Sequence, residues 1–437
     1  MSLRIIDLRA ADAGTRLAAL ERPSFEGRAS LLEDVRAIVA AVRARGDAAL
    51  REFAARFDGV APERFAISRA EVDAALASLP ANAIAALQRA IDNVRVFHAA
   101  QMPAPLVVET SPGVRCERIV RPIDAVGLYV PAGSAPLPSA LIMSAVPAKL
   151  AGCARIVLCT PAGRDGVDPA ILAAARLCGI DEIFAVGGAQ AIAALAYGTE
   201  SIPKVAKIVG PGSAWVTAAK QIVAEDPAGA ALDLPAGPSE VLVIADATAN
   251  PEFVAADLLA QAEHDVLAQA ILLTDSAAFA SRVRTAALAQ LERLSRRAIL
   301  EQSLLRSRLL VVDDIDAAFA LSNEYGPEHL ILHLPDARER LADVRTAGSV
   351  FLGAWSPESI GDYCSGTNHV LPTYGYARAY SGLSLQDFQK RITVQELTPE
   401  GLRDLGPVAT TLAGLEGLDA HANAVTVRLA ALAGDRS

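Results

Sequence analysis

The chain predicts an α/β protein built on parallel sheets with helices on their faces. Three observations carry this expectation. From about residue 105, short β-branched runs alternate with Gly- or Pro-containing corners and Ala-rich helical stretches, the rhythm of strand–crossover–strand units. Apolar residues make up 52% of 437 positions, enough for more than one sizeable core. The last stretch places Leu418, Ala422, Val425, Leu429 and Leu432 at alternating spacings of four and three, the stripe of an amphipathic helix.

Taken in order, residues 30 to 100 read as helical scaffold. Ser30 is positioned to cap a helix running to Arg45, where Gly46 interrupts it, and a second periodic stretch covers Glu71 to Ala100. Val126 to Val130 then enters Pro131-Ala132-Gly133-Ser134 and a helix near Ser139. Arg155 to Cys159 leads to a helix from Pro169. Ile183 to Val186 enters Gly187-Gly188-Ala189-Gln190 and a helix to Tyr197. Ala206 to Val209 enters Gly210-Pro211-Gly212-Ser213 and a helix to Val223. In such sheets ligands bind beyond the carboxyl ends of the strands, where these corners lie. The alternation resumes with Val241 to Ala245, a helix from Pro251 and a strand Ala270 to Leu273. A long irregular segment follows at about 354 to 379, rich in Gly, Ser, Pro and Tyr.

Composition excludes several classes. The net charge of −10 and the lack of any basic block argue against nucleic acid. The richest apolar stretch, Ala140 to Thr160, is broken by Pro147, Lys149 and Arg155, so no membrane span is expected. The N-terminal MSLRIIDLRAADAG lacks a signal-peptide apolar core, and a cytoplasmic protein is expected. Cys116, Cys153, Cys159, Cys178 and Cys364 show no CxxC spacing and read as reduced thiols.

The chemistry concentrates in four patches: Gln261 to His264, Glu328-His329, Asp362 through His369, and His421. Four of the six histidines fall in them. Asn250-Pro251 starts a helix that sets Gln261 and His264 three apart on one face, a spacing that suits two metal ligands or an ordinary polar helix end. Gln is a weak zinc ligand, so a metal would need carboxylate and histidine from elsewhere. Asp362 and His421 are candidates, the first otherwise a turn-former and the second otherwise a half-buried histidine. Glu328-His329, at a helix–strand joint, suits acid–base work, or is merely a polar pair leading a strand. His98 and His333 read as structural. The corners at 187 and 210 offer helix N-termini to a pyrophosphate, or are tight turns without ligand.

Together these segments resemble histidinol dehydrogenase over essentially the whole chain. The matching stretches are Gly127 to Pro131, GGAQAIAALAYGTE (187–200), PAGPSEVLVIAD (235–246), DLLAQAEH (257–264), GPEHL (326–330), GAWSPESIGDYCSGTNHVLPTYG (353–375), TVQEL (393–397) and HANAV (421–425). The resemblance implies two Rossmann-like parallel-sheet domains in an aldehyde-dehydrogenase-like arrangement, with small terminal segments and an intertwined homodimer. It implies the division 1–26 (N-terminal segment), 27–106 with 238–378 (zinc and catalysis), 107–237 (NAD) and 379–437 (C-terminal segment completing the neighbour's site). It further implies oxidation of L-histidinol through the aldehyde to L-histidine, the last step of histidine biosynthesis, with two hydride transfers to NAD and one zinc per active site. The zinc ligands implied are Gln261, His264, Asp362 and His421. His329 would be the general base, and Glu328 would activate the water that hydrates the aldehyde. Ser239, His369 and Glu416 match substrate-contacting positions, alongside the ligands and His329. Tyr129, Gln190 and Ser213 match NAD-contacting ones.

Two corners depart from the family pattern. Ser213 stands where Asn is usual, and Pro131-Ala132-Gly133-Ser134 replaces Pro-Gly-Gly-Thr. The shorter Ser213 is expected to shift a cofactor contact to water. Competing readings are a thiol mechanism through Cys116 or Cys153, a dehydrogenase of another amino- or sulfo-alcohol, a zinc hydrolase using Glu328, and a non-catalytic binding protein.

Overall fold

The computed structural model describes residues 3–23, 28–59, 62–132, 135–235 and 237–434. Its strands are β1 (Arg4–Asp7), β2 (Leu106–Ser111), β3 (Val114–Pro122), β4 (Ala125–Tyr129), β5 (Arg155–Thr160), β6 (Glu182–Ala185), β7 (Lys207–Val209), β8 (Ala231–Leu232), β9 (Glu240–Ala245), β10 (Gln269–Thr274), β11 (Arg308–Val311), β12 (His329–His333), β13 (Ser349–Leu352) and β14 (Gln389–Leu397). The chain divides into two compact units. One comprises Met1–Gln101 with Ile123–Phe388, the other Met102–Pro122 with Gln389–Ser437.

The first unit holds two wholly parallel sheets, as expected of the alternating pattern. One has five strands in the order β6-β5-β4-β7-β8, the other six in the order β1-β11-β10-β9-β12-β13. In each the chain winds outward from a central strand and then reverses. The reversals fall between β4 and β7 and between β9 and β12, and such switch points open a crevice between diverging connections.

Alternate residues of each strand feed opposite faces, so both faces are apolar. On one face of the five-stranded sheet, Val157 and Ile208 pack with Leu31, Val35 and Val42 from the helix Arg28–Arg45 and with the helix Gly188–Tyr197. On the other, Val126, Leu128 and Leu158 meet Ile91 and Val94 of the helix Ala81–Ala99. The sequence division grouped 27–106 with 238–378, but the apolar faces of these helices are buried against the five-stranded sheet. The six-stranded sheet buries Val241, Val243 and Leu272 under the helices Pro251–Ala262 and Ala277–Leu291. Its other face buries Leu242, Ile244 and Leu332 with Phe319 and Tyr325 of the helix Ile315–Tyr325.

Local signals hold well. Asn250 caps its helix through Glu252 N (2.9 Å), and Asp314 caps Ile315–Tyr325 through Ala317 N (2.8 Å). Helices end at Arg45 and restart at Asp47 around Gly46. Two expectations fail. Ser30 lies inside the first turn of Arg28–Arg45 rather than before it. The segment 354–379 is not irregular throughout, for Glu358–Tyr363 is a short helix entered from Pro357.

The second unit is an antiparallel sheet ordered β14-β3-β2 followed by the helices Pro399–Leu415 and Asp419–Gly434. Residues 107–122, placed by sequence with the NAD half, therefore pair with β14 instead. No single helix among the described residues is long and apolar enough to cross a membrane.

Candidate active site

The two sheets offer opposite ends to chemistry. At the five-stranded sheet the corners at Gly187 and Gly210 follow the carboxyl ends of β6 and β7, where helix N-termini point. At the six-stranded sheet the candidate residues gather at the amino ends: Ser239 and Glu240 at β9, Glu328 and His329 at β12. Helices there arrive by their C-termini, as Gln261 and Ala262 close Pro251–Ala262. Helix N-termini favour anions and C-termini favour cations, so the first edge suits a pyrophosphate and the second a metal. The glycine corners thus lie at carboxyl ends of strands, as the sequence reading placed them, whereas Ser239, Glu240, Glu328 and His329 lie at amino ends.

At the first edge, Tyr129 ends β4 and is buried, its hydroxyl accepting from Gly188 N (3.0 Å). Burial pushes that phenol up to about 12. Gln190 is buried in the first turn of the helix Gly188–Tyr197. Gly210 sits at the switch point with φ +126°, and a Cβ there would meet Tyr129 O at 2.1 Å, so no side chain fits. Its peptide is clamped on both sides. Gly210 N donates to Asp233 Oδ2 (2.8 Å), Gly210 O accepts from Lys220 Nζ (3.0 Å), and Lys220 pairs with Asp233. Ser213 precedes Ala214–Glu225 in the capping position, but its exposed side chain makes no cap hydrogen bond. Gly133 and Ser134 lie outside the described residues.

At the second edge, His329 is the hub. Its Nδ1 donates to the Glu240 carbonyl (3.2 Å), since a carbonyl only accepts, and this leaves Nε2 without a proton when the ring is neutral. Nε2 lies 3.5 Å from Asp362 Oδ1, and Nδ1 lies 3.7 Å from Glu328 Oε2 and 3.9 Å from Glu358 Oε1. Burial opposes a charge on the ring, but the carboxylates of Glu358, Glu328 and Asp362 outweigh it and hold His329 well above its usual range. Glu328 is buried, its Oε2 accepting from Glu240 N (2.8 Å), and burial pushes it up to about 8. A carboxyl poised there can give or take a proton near neutrality.

Gln261 is fully buried, and with its amide nitrogen turned toward acceptors it donates to the carboxylate of Glu358. His264, Glu358 and Asp362 place ligand atoms within 4.8 Å of one another. Asp362 Oδ1 and His329 Nε2 are buried without a hydrogen-bond partner. Asp362 Oδ1, an unsatisfied acceptor beside this O/N donor set, is what a divalent cation would satisfy. His264 keeps an exposed edge, yet burial of the rest lowers its affinity for a proton, which favours the neutral ligating form. His369 Nδ1 donates to the Asp362 carbonyl (2.7 Å), tying this ring to the same helix. Ser239 is half-buried next to Glu240.

Glu358 is not among the candidates named from sequence, for it lies in the segment expected to be irregular. The signal was present: Pro357 opens a helix, and Glu358 and Asp362 sit four apart on one face of it. Glu416 and His421 lie in the second unit, both exposed, at the end of Pro399–Leu415 and the start of Asp419–Gly434. The two structural histidines behave as expected. His98 Nδ1 donates to Val94 O (2.9 Å), and His333 pairs with Asp257 (2.8 Å).

The model of the histidinol dehydrogenase family matches residues 21–429. The chain belongs to the histidinol dehydrogenase family. It is 56% identical over 428 residues to a histidinol dehydrogenase of Xanthomonas axonopodis pv. citri, covering 98% of this chain and 99% of that one. A histidinol dehydrogenase of Vibrio vulnificus is 53% identical over 412 residues, covering 94% and 95%. The crystal structure of histidinol dehydrogenase from Elizabethkingia anophelis superposes with a TM-score of 0.94 at 45% identity, covering 98% of each chain.

Membership makes this chain an oxidoreductase, and burial works against three of its five thiols, Cys153, Cys159 and Cys178, as nucleophiles. Cys153 is buried with its Sγ 3.7 Å from Phe388 O, and burial pushes the thiol up to about 11. Cys178 is pushed to about 12 and Cys159 higher still. A nucleophilic cysteine needs the opposite shift. Cys153→Ala should therefore keep both oxidation steps within about twofold of the parent. Selective loss of aldehyde oxidation would restore the thiol mechanism.

Proposed function

We propose that this protein oxidises L-histidinol through L-histidinaldehyde to L-histidine, the last step of histidine biosynthesis, passing two hydrides in succession to NAD. The observation that carries the reading is the convergence of His329, Glu328, Gln261, His264 and Asp362 at the amino edge of the six-stranded sheet. Relatives more than half identical over nearly the whole chain carry the name histidinol dehydrogenase. One zinc would be held by Gln261, His264, Asp362 and His421. Bound there, it would polarise the substrate's alcohol oxygen and offset the carboxylate field that otherwise keeps His329 protonated.

The chain's own groups account for the remaining steps. His329 Nε2, bare when Nδ1 donates to Glu240, takes the alcohol proton as hydride leaves the carbinol carbon for NAD. Glu328 takes a proton from the water that adds to the aldehyde. The resulting hydrate loses a proton to His329 and a second hydride to NAD, giving the carboxylate. One water and two NAD are consumed per histidinol. His369 and Ser239 line the same edge and would orient the substrate. Tyr129, Gln190 and Ser213 would hold NAD at the opposite type of edge, with water filling the space left by the shorter Ser213 side chain.

The exposed positions of Glu416 and His421 on the second unit fit a homodimer in which this segment completes the neighbour's site. Apolar residues exposed on its helices, among them Val408, Leu412 and Leu415, would then be covered. A zinc hydrolase would use Glu328 but has no role for the corners at Gly187 and Gly210.

The test is NADH formed per L-histidinol consumed, with zinc present and after chelation. Two NADH per substrate, lost on chelation and restored by zinc, is the expected result. One NADH would reduce the enzyme to an alcohol dehydrogenase, and none would overturn the reading.

A further inference from the structure

Arg22 belongs to the N-terminal segment, far in sequence from every residue of the candidate site, yet it lies one residue's contact away from both acid–base groups. Glu240, the first residue of β9, is 2% exposed. Its backbone holds the pair: Glu240 N donates to Glu328 Oε2 (2.8 Å) and Glu240 O accepts from His329 Nδ1 (3.2 Å). Beyond the ladder of β9, the side chain of Glu240 adds a second hold on that backbone. It accepts from Arg22 Nε (2.5 Å) and Nη2 (2.9 Å) in a bidentate pair, and from Tyr374 N (2.8 Å). A planar fork on a carboxylate constrains direction as well as distance.

Arg22 also reaches the other end of the pair. Its Nη2 donates to Tyr325 O (2.8 Å), and the guanidinium lies 3.8 Å above the Tyr325 ring. Tyr325 and Gly326 form the turn that leads through Pro327 into Glu328. Tyr374 closes the clasp. It has φ +58°, a conformation L-residues rarely adopt, and its hydroxyl donates to Pro23 O. Gly237 packs so tightly on its ring that a Cβ would lie 2.6 Å from Cδ2. An arginine buried to 14% side-chain exposure, spent on one carboxylate and one turn, is costly to keep unless its geometry is used.

We propose that Arg22, acting through Glu240 and the Tyr325–Gly326 turn, is a positioning residue for the Glu328–His329 pair. The N-terminal segment thereby sets the aim of the reacting proton acceptor rather than the affinity for substrate, cofactor or metal. This rests on the acid–base roles proposed for Glu328 and His329.

The experiment compares Arg22→Lys, Arg22→Gln and Glu240→Gln with the parent enzyme, reading kcat, KM for histidinol and NAD, zinc content and thermal midpoint. Glu328→Gln and His329→Asn serve as references. Glu240→Gln keeps shape and backbone but loosens the fork, and kcat should fall by about tenfold to a hundredfold. Both KM values and the zinc content should stay near those of the parent, and Arg22→Lys should recover much of what Arg22→Gln loses. Unchanged kcat in Arg22→Gln and Glu240→Gln would overturn the proposal. So would a joint fall of kcat, zinc content and thermal midpoint that lysine does not rescue, which would make the clasp merely structural. If the reference variants themselves keep full turnover, it is the acid–base reading that fails.

Discussion

Replacing His329 by asparagine should lower kcat by about a hundredfold to ten-thousandfold, the range a positioned general base contributes. Asparagine retains an amide N–H that can reach the Glu240 carbonyl, so the local backbone is preserved. It has nothing at the position of Nε2 that can accept a proton, and this atom is the one 3.5 Å from Asp362. NAD affinity, read by fluorescence titration, should be unchanged, because the corners at Gly187 and Gly210 belong to the other sheet. Both oxidation steps should fall together if His329 serves each of them. A variant that oxidises histidinol at the parent rate but stalls at the aldehyde would assign the first proton transfer elsewhere. Parent-like turnover in both steps would sink the role altogether.

Glu358→Gln should weaken zinc binding by about tenfold to a hundredfold, as the loss of a group that orients a metal ligand does. Gln261 is a neutral amide whose oxygen can bind a cation and whose nitrogen cannot. The buried Glu358 carboxylate accepts from that nitrogen and so selects the amide orientation. A glutamine of the same size can meet either end of the Gln261 amide, so the choice of orientation is lost. Zinc affinity measured by competition with a chelator decides it, with circular dichroism as the control for folding. Equal affinity in parent and variant would remove Glu358 from any role at the metal.

Much of the first unit was legible because its signals are local. Asn250 binds the amide two residues ahead, so a short polar side chain before an apolar run announces the helix. The corners at Gly187 and Gly210 were readable as strand-to-helix joints for the same reason. The identities of Gln261, His264, Glu328, His329 and Asp362 came from residue type and motif, and the structure brings all five to one edge. Glu358 was missed although it lies within the matching stretch 353–375, because a six-residue helix amid Gly, Ser and Pro is too short for a periodicity to stand out. Ser30 was misjudged because helix ends shift by a residue or two with their surroundings.

The sequence by itself determined the strand–helix alternation of the two parallel sheets, caps such as Asn250, the residue types of the four patches and the family. Tertiary structure alone decided which edge of which sheet receives them. Strand order places β9 beside β12, although 83 residues separate Ala245 from His329 along the chain. That pairing sets the catalytic candidates among helix C-termini, while the glycine corners meet helix N-termini. It also decided that the helices of 28–99 cover the five-stranded sheet, and that Arg22 pairs with a carboxylate 218 residues away. The physical reason is range. Caps, turns and periodicities act within a few residues, whereas sheet order and buried ion pairs arise from the packing of apolar faces that many partners could have covered.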